Sequence, residues 1–326
     1  MRVTVVGGGN LGLACAARMA AAGLEVTLYT SNPEKWPLDV AVEDYNGQIF
    51  SGHLVRVTED PKTAADSELV YLCLPGHVIK DKLVALTPYL LPGTPIASVF
   101  SADGFFFIAE EVLGAQWPVL GFQRVPFIAR TKCPYKLGGI TGYRKELLLA
   151  HRNVDNPERW RRLFEMSFCT PTRLLDNFYE ASLANSNPVI HPARLMSLHR
   201  QIERDGPFKR IPLFYEEWDD IASDYAVRLD RELRAVATLK GAYIIPFLSY
   251  YESSDSFSLT CKIRSIQAFK GLLSPVGMDG MLDLRSRYVQ ADVGISVVNI
   301  ALMSHSMGLP CPCSDEIVYT FRSMRD

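Results

Sequence analysis

One histidine of this chain, His191, lies in surroundings that suit proton chemistry. It stands in the segment 182-SLANSNPVIHPAR-194, between Pro188 and Pro192. Each proline restricts its own backbone and that of the residue before it, so we expect a stiff, kinked helix entry that becomes regular only after Pro192. Imidazole has an unperturbed pKa of about 6.5 and can donate or accept a proton near neutral pH. A catalytic acid/base, a metal ligand and a buried structural histidine all remain open.

A glycine-rich turn near the N-terminus predicts a dinucleotide site. The apolar run 2-RVTVV-6 is typical of a strand buried on both faces, and 7-GGGNLG-12 follows it directly in the pattern G-x-G-x-x-G. Such glycines allow a tight turn and the close approach of a pyrophosphate, whose charge is favoured by the amides at the start of the next helix. A tight turn without a ligand is the alternative. The residues predicted to bind the cofactor here are Gly7, Gly9, Asn10, Leu11 and Gly12.

The end of the second strand bears on the choice of cofactor. An acidic residue there would bind the ribose hydroxyls of NAD and repel the 2′-phosphate of NADP. In 29-YTSNPEKW-36 we find instead side chains that can donate hydrogen bonds or supply positive charge, namely Thr30, Ser31, Asn32 and Lys35. Glu34 argues against this reading, and a solvated lysine is the alternative for Lys35. The sequence therefore favours NADP(H) over NAD(H).

The glycine turn belongs to an alternation of short strands and helices. The alanine-rich stretch 11-LGLACAARMAAAG-23 predicts a helix and 24-LEVTLYT-30 a second buried strand, which completes a βαβ unit. Similar alternation continues to residue 178, with a strand in 68-ELVYLCLPG-76 and a strand pair in 137-LGGITGYRKELLLAHR-152. We predict an α/β, doubly wound Rossmann domain over residues 1–178.

Two further cofactor contacts follow from this sheet. Ligands of doubly wound sheets bind beyond the carboxyl ends of the strands. Leu74 and Pro75 come directly after the strand predicted around residue 70. They are therefore expected to border the nicotinamide.

The remaining residues predict a mainly α-helical second domain over residues 179–326. In 214-FYEEWDDIASDYAVRLDRELRAVATLKGA-242, apolar residues recur at spacings of three and four from Tyr215 onward, which indicates one long amphipathic helix. A further helix is predicted over 291–308. Its apolar stretch 293-VGISVVNIALM-303 suits either the core or a homodimer interface.

The composition favours small-molecule partners. The 326 residues contain 34 Lys and Arg against 36 Asp and Glu, which argues against nucleic acid or an anionic membrane as a partner. The sequence shows neither a signal peptide nor an apolar run of the roughly 18 residues that a membrane span needs. Seven scattered cysteines suit a reducing cytoplasm. Cys311 and Cys313 lack a second cysteine pair or a histidine at ligand spacing, so we predict free loop thiols and no metal site.

Several motifs together resemble the opine dehydrogenase family, the octopine/nopaline dehydrogenase group. They are GGGNLG after the first strand, N-S-N-P-V-I-H-P at the start of the helical half, 212-PLFYEEW-218 and 287-RYVQADVG-294. The resemblance extends over nearly the whole chain. It implies an NAD(P)H-dependent enzyme acting on CH–NH bonds, which reductively joins the amine of an amino acid to a 2-oxo acid such as pyruvate. It also implies that His191 and Asp292 form the catalytic pair.

Physical chemistry is consistent with that pair. Reduction of a carbonyl or imine needs a proton donor, and a carboxylate on the far ring nitrogen would fix the tautomer of a donor histidine. The alternative for Asp292 is an N-cap of the apolar helix that follows it. Because both substrates carry carboxylates, the site also needs a cation.

Three residues are the candidates for substrate binding. Arg287 is the leading candidate for the cation, and Arg130 could contribute from the first domain. For each arginine, solvent exposure is the alternative. Tyr215 is a further candidate for lining the pocket, with core packing as its alternative.

Two other functions share this architecture. One is an NADP-dependent reductase of 2-oxo or 3-hydroxy acids, as in the ketopantoate reductase and β-hydroxyacid dehydrogenase families, which use a lysine at the start of the helical domain. Residues 179–194 contain no lysine, which counts against it. The other is a dinucleotide-binding module without catalysis.

Overall fold

The computed structural model describes residues 1–102 and 104–324. The chain divides into two compact units, Met1–Ser182 and Leu183–Asp326. The division thus follows residue 182 rather than residue 178.

The first unit is an α/β structure. Its strands are β1 (Arg2–Val6), β2 (Glu25–Tyr29), β3 (Asp39–Glu43), β4 (Ile49–His53), β5 (Arg56–Thr58), β6 (Leu69–Leu72), β7 (Ile96–Ser98), β8 (Val119–Phe122), β9 (Phe127–Cys133), β10 (Leu137–Tyr143), β11 (Leu147–Arg152) and β12 (Thr172–Leu174). Its helices are α1 (Asn10–Ala21), α2 (Gly76–Leu86), α3 (Phe105–Leu113), α4 (Pro157–Phe168) and α5 (Phe178–Leu183), with short 3-10 helices at Pro33–Lys35, Pro61–Asp66 and Thr87–Tyr89.

The larger sheet has the strand order of a dinucleotide-binding fold. The strands β5-β2-β1-β6-β7-β8 are neighbours in that order and all parallel, which is the doubly wound order 3-2-1-4-5-6 when they are counted along the chain. β11 adds antiparallel to β8, and β12 parallel to β11. The predicted Rossmann fold is confirmed.

Burial on both faces explains why the central strands have continuous apolar sequences. In β6, Leu69 and Tyr71 join the core on one face of the sheet, whereas Val70 and Leu72 join the core on the other. Successive side chains of a strand point to opposite faces, so a strand covered on both sides needs apolar residues at every position.

A smaller sheet, ordered β4-β3-β10-β9, packs on α1. A Cβ on Gly52 of β4 would lie 2.5 Å from the Cβ of Ala20, so only glycine lets β4 approach the helix this closely. The predicted strand pair in 137–152 is wrong as a pair. β10 pairs with β9 and β3 in the smaller sheet. β11 instead joins the larger sheet, because its buried Leu147 and Leu149 pack into the main core.

The second unit is mainly helical, as predicted. Its helices are α6 (Asn187–Asp205), α7 (Asp220–Leu239), α8 (Phe247–Tyr250), α9 (Ser256–Ser265), α10 (Val298–Ser306) and α11 (Pro312–Ser323), with a 3-10 helix at Gln267–Phe269 and a π-helix at Tyr288–Val297. Val293, Val297 and Ile300 are buried, so much of the segment 293–303 lies in the core of this unit. No helix in the described part of the chain has an apolar stretch long enough to cross a bilayer.

Helix α7 begins later than its apolar periodicity predicts. Asp219 is its N-cap, and the carboxylate accepts a hydrogen bond from the backbone N–H of Ala222 at 2.8 Å. Tyr215 and Trp218 therefore precede the helix. The physical reason is that a capping aspartate satisfies free backbone amides of the first turn. The helix therefore begins there, even though the apolar pattern extends further toward the N-terminus.

Candidate active site

Helix α6 holds His191 in a rigid position. The helix begins at Asn187, with Pro188 in its first turn, where the missing N–H costs no hydrogen bond. Pro192 lies within the helix, so the expectation that the helix becomes regular only after Pro192 is wrong. The cost is limited because the proline removes a single backbone hydrogen bond near the helix start. His191 is only 3% exposed.

The π-helix brings Asp292 to this histidine. The Oδ2 atom of Asp292 lies 2.8 Å from Nδ1 of His191, and Asp292 is 5% exposed. Asp292 lies inside the π-helix Tyr288–Val297, so the alternative of an N-cap is wrong. The wider turn of a π-helix changes the direction of the side chains that it carries, and such turns are frequent at functional sites.

Tyr215 completes a buried chain of polar groups. An ionised carboxylate only accepts hydrogen bonds, so Nδ1 of His191 donates to Asp292. The other ring nitrogen, Nε2, lies 3.1 Å from the hydroxyl of Tyr215. Burial raises the pKa of Tyr215, which keeps the phenol protonated near neutral pH. The hydroxyl can therefore donate to a neutral ring or accept from a protonated one, so Nε2 is the atom that can exchange a proton.

Two aromatic rings that sequence reasoning missed enclose the histidine. The ring of Tyr288 meets that of His191 edge to face at 4.5 Å, and the ring of Phe214 lies 5.7 Å away. They stack on each other at 5.2 Å. Each is next to a predicted site residue, Tyr215 or Arg287, which is the only sequence signal for them. Their rings exclude water from one side of the imidazole.

Arg287 supplies an exposed positive charge beside these rings. Its guanidinium lies 5.4 Å from the ring centre of Tyr288, and its charge partly opposes the rise in the pKa of Tyr215 caused by burial. Within the described residues Arg287 forms no ion pair with a carboxylate. Arg285, by contrast, pairs with Asp283 at 3.8 Å. Arg287 is therefore available to bind an anionic group.

The glycine turn of the first unit fits a pyrophosphate. Gly7 has a φ of +109°, and a Cβ on Gly12 would lie 1.8 Å from the carbonyl oxygen of Gly7, so both positions require glycine. A Cβ on Gly9 would meet nothing within 4 Å. The open space at the start of α1 is where the amides of Asn10 and Leu11 can face a phosphate.

Comparison with known proteins finds relatives of both units. Residues 174–325 match the family described as NAD/NADP octopine/nopaline dehydrogenase, alpha-helical domain, and residues 2–101 match the family described as NADP oxidoreductase coenzyme F420-dependent. An opine dehydrogenase of Haliotis discus hannai is 25% identical over 97% of this chain and 88% of that protein. A tauropine dehydrogenase of Arabella iricolor is 24% identical over 97% and 89%.

A solved structure of octopine dehydrogenase with NADH and L-arginine shares the fold. It superposes with a TM-score of 0.84 at 23% identity and covers 99% of this chain and 89% of the other. The predicted resemblance to the opine dehydrogenase family is confirmed, and the match to the family model covers the helical unit. These relatives are named as an opine and a tauropine dehydrogenase, and the solved octopine dehydrogenase holds NADH, which agrees with the predicted enzyme class and with a nicotinamide dinucleotide as the cofactor.

The remaining cofactor candidates lie at two loop positions. After β2, Lys35 Nζ donates to Asn32 Oδ1 at 3.3 Å, and Asn32 Nδ2 donates to Ser31 Oγ at 3.1 Å. All three are exposed, and Thr30 adjoins them. Leu74 and Pro75 connect β6 to α2.

The predictions for Arg130, Cys311 and Cys313 have different outcomes. Arg130 is exposed on β9, where its Nη1 donates to the carbonyl of Ala129 at 2.9 Å, and its role in binding substrate remains a prediction. Cys311 and Cys313 are free thiols, as predicted, and both are buried; Cys311 directly precedes α11, whereas Cys313 lies in its first turn, so its assignment to a loop is wrong. The reason lies outside their own segment, since Glu232 of α7 accepts the backbone N–H of Cys313 at 2.7 Å and thereby holds the start of α11 in the core.

Proposed function

We propose that this protein is an opine dehydrogenase, which joins the amine of an amino acid to a 2-oxo acid such as pyruvate with His191 as the proton donor and acceptor. The observation that carries the assignment is the buried pair of His191 and Asp292, with Nδ1 and Oδ2 2.8 Å apart. A histidine held in one tautomer by a carboxylate has a single nitrogen, Nε2, for proton transfer.

The reaction needs proton transfers in both directions. The amine must lose a proton to attack the carbonyl carbon, and the carbonyl oxygen must gain two protons to leave as water. Both protons come from the attacking nitrogen, and His191 can accept one at a time at Nε2 and pass each to the oxygen, while Asp292 stabilises the charged ring. Tyr215, hydrogen-bonded to Nε2, can hold the oxygen of the reacting group in line with that nitrogen. The reduced product retains the new C–N bond and the carboxylates of both reactants.

The dinucleotide supplies the hydride that reduces the imine carbon. We infer a preference for NADPH over NADH, because the loop after β2 places the hydroxyl of Ser31, the amide of Asn32 and the ammonium of Lys35 next to one another. Together these groups can bind a 2′-phosphate by hydrogen bonds and charge.

Arg287 is proposed to bind a substrate carboxylate. A guanidinium can form two parallel hydrogen bonds with a carboxylate, which fixes the orientation of the substrate as well as its position. Arg287 suits this role because it is exposed, lies beside Tyr288 and has no ion pair within the described residues.

The test of the function is oxidation of NADPH by the purified protein, with pyruvate and other 2-oxo acids offered with and without a set of amino acids. Oxidation that requires both an oxo acid and an amine supports the proposal. Oxidation with the oxo acid alone would replace it by a simple reductase of 2-oxo acids. Cofactor binding without turnover of any pair would favour the dinucleotide-binding module.

Replacing Arg287 by alanine is expected to raise the KM for the oxo acid or the amino acid about 100-fold, because two charge-assisted hydrogen bonds are lost. Arg287→Lys should recover only part of the affinity, since lysine keeps the positive charge but cannot form the two parallel hydrogen bonds of a guanidinium. Steady-state kinetics with each substrate varied measures both. Arg285→Ala is the matched control, and equal effects at the two positions would contradict the assignment.

Replacing Lys35 by glutamate is expected to lower kcat/KM for NADPH roughly tenfold, because a charge-assisted contact becomes a repulsion. The value for NADH should stay the same or rise. Parallel assays with the two cofactors give the ratio of kcat/KM for NADPH to that for NADH. Lys145→Glu, in the exposed turn between β10 and β11, is the control; an unchanged ratio in Lys35→Glu would argue against binding of the 2′-phosphate by this loop.

We further propose a cytoplasmic homodimer that acts on small molecules. The seven cysteines, all within the described residues, are free of disulfides, which suits a reducing compartment. Light scattering during gel filtration measures the mass in solution and tests the dimer.

A further inference from the structure

Three side chains of the second unit converge away from the active site. His305 lies in the last turn of α10, Cys311 immediately precedes α11, and Asp315 lies in the first turn of α11. Their ligand atoms all lie within 4.8 Å of one another. The cluster offers one nitrogen, one sulfur and one oxygen, which are the three donor types that zinc uses in proteins.

The distances within the cluster match the edges of a zinc coordination tetrahedron. Asp315 Oδ2 lies 3.2 Å from Nε2 of His305 and 3.6 Å from Sγ of Cys311. Zinc bonds of about 2.1 Å to nitrogen and oxygen and about 2.3 Å to sulfur, at tetrahedral angles, place such ligand atoms ~3.4 and ~3.6 Å apart. The third edge, between Nε2 of His305 and Sγ of Cys311, is at most 4.8 Å long.

The local fold keeps these ligands in place without metal. Gly308, with a φ of +68°, turns the chain between α10 and α11. Cys311 is buried at 2% exposure, whereas the side chains of His305 and Asp315 are 58% and 48% exposed. One side of the cluster is therefore fixed in the core, and the other is open to an ion and to a water molecule from solvent.

We propose that His305, Cys311 and Asp315 bind a zinc ion that ties the end of α10 to the start of α11, with water as a fourth ligand. The sequence analysis excluded a metal for lack of a histidine at ligand spacing. The spacing H-x5-C-x3-D is unusual, but the turn at Gly308 brings the residues together in space. The site is independent of the proposed reaction and of its cofactor.

The test uses the full-length protein, kept reduced and freed of metal with a chelator. It is titrated with Co²⁺, whose bond to a thiolate produces a charge-transfer absorption, and then with Zn²⁺ in competition. We expect one ion per chain, a thiolate-to-cobalt band and a rise in Tm with Zn²⁺. Cys311→Ser should remove the band, and His305→Ala should weaken zinc binding at least ~10-fold.

Matched controls separate this cluster from ordinary surface groups. His53→Ala removes an exposed histidine that also pairs with a carboxylate, Asp39, at 2.7 Å, and Cys261→Ser removes an exposed thiol. Neither should change the affinity. His305 is exposed, so His305→Ala is expected to fold. Absence of the band, its persistence in Cys311→Ser, or equal affinity of His305→Ala and wild type would each overturn the proposal.

Discussion

Replacing His191 by asparagine is expected to lower kcat for the reductive condensation by about 10²–10⁴-fold, the range that loss of a positioned acid/base costs. Asparagine keeps a polar group near Asp292 and Tyr215 but cannot carry a proton between reactants at neutral pH. Binding of the dinucleotide should be unaffected, because the glycine turn belongs to the first unit. Single-turnover rates and cofactor titration together measure the two effects.

Asp292→Asn tests the pair of His191 and Asp292 by changing the carboxylate instead of the imidazole. An amide at the position of Oδ2 would either donate to Nδ1 or leave that N–H unpaired, so the ring would favour the wrong tautomer. We expect a loss similar to that in His191→Asn, and a double variant little worse than either single one, because residues that act as a unit are not additive.

A second histidine in α6 provides the control. His199 also faces an acid on its helix, with Nε2 3.5 Å from Glu203. His199→Asn should leave kcat within about twofold of wild type, because the half-buried His199 makes no contact with the pair of His191 and Asp292. If His199→Asn were as damaging as His191→Asn, the losses would reflect disturbance of the helix, and His191 would lose its assigned role.

The sequence predicted the parts of this site better than their arrangement. His191 and Asp292 are 101 residues apart in the chain, and no local sequence pattern predicts that they meet. Only the resemblance of their motifs to those of a known family predicted the pair. The π-helix escaped prediction because its apolar residues look like those of an ordinary helix. Phe214 and Tyr288 were missed although they lie within quoted motifs, because an aromatic residue next to a candidate site residue is usually part of a core.

The errors in the fold have a common physical origin. Apolar patterns record that a segment is buried, but not against which partner. They correctly indicated strands at β10 and β11, yet the two strands belong to different sheets. Likewise, the pattern of α7 continued through Tyr215, and one capping aspartate, Asp219, decided where the helix begins. The thiol of Cys311 and the imidazole of His305 meet because of a turn, and spacing alone did not predict it.

Gly9→Ala and Gly12→Ala are expected to damage the dinucleotide site in different ways. In Gly12→Ala the new Cβ would lie 1.8 Å from the carbonyl oxygen of Gly7, so the turn must shift. The free energy of unfolding should fall by ~3 kcal/mol, the upper part of the range for overpacked sites, and cofactor affinity should fall with it. In Gly9→Ala the Cβ meets nothing within 4 Å, and a φ of −78° suits alanine. Chemical denaturation and cofactor titration of both variants measure the difference.

Gly9→Ala is the more informative variant, because it should weaken dinucleotide binding without changing the stability of the fold. Its stability should stay within about 1 kcal/mol of wild type, while the Kd for the dinucleotide should rise about tenfold or more, since the methyl group occupies space that the pyrophosphate needs. Gly23→Ala is a control for the loss of a glycine as such: Gly23 has a φ of +84° and open surroundings, so it should lose stability without losing cofactor affinity. Unchanged dinucleotide binding in Gly9→Ala would mean that the pyrophosphate does not lie against this turn, and the cofactor site would have to be sought elsewhere in the first unit.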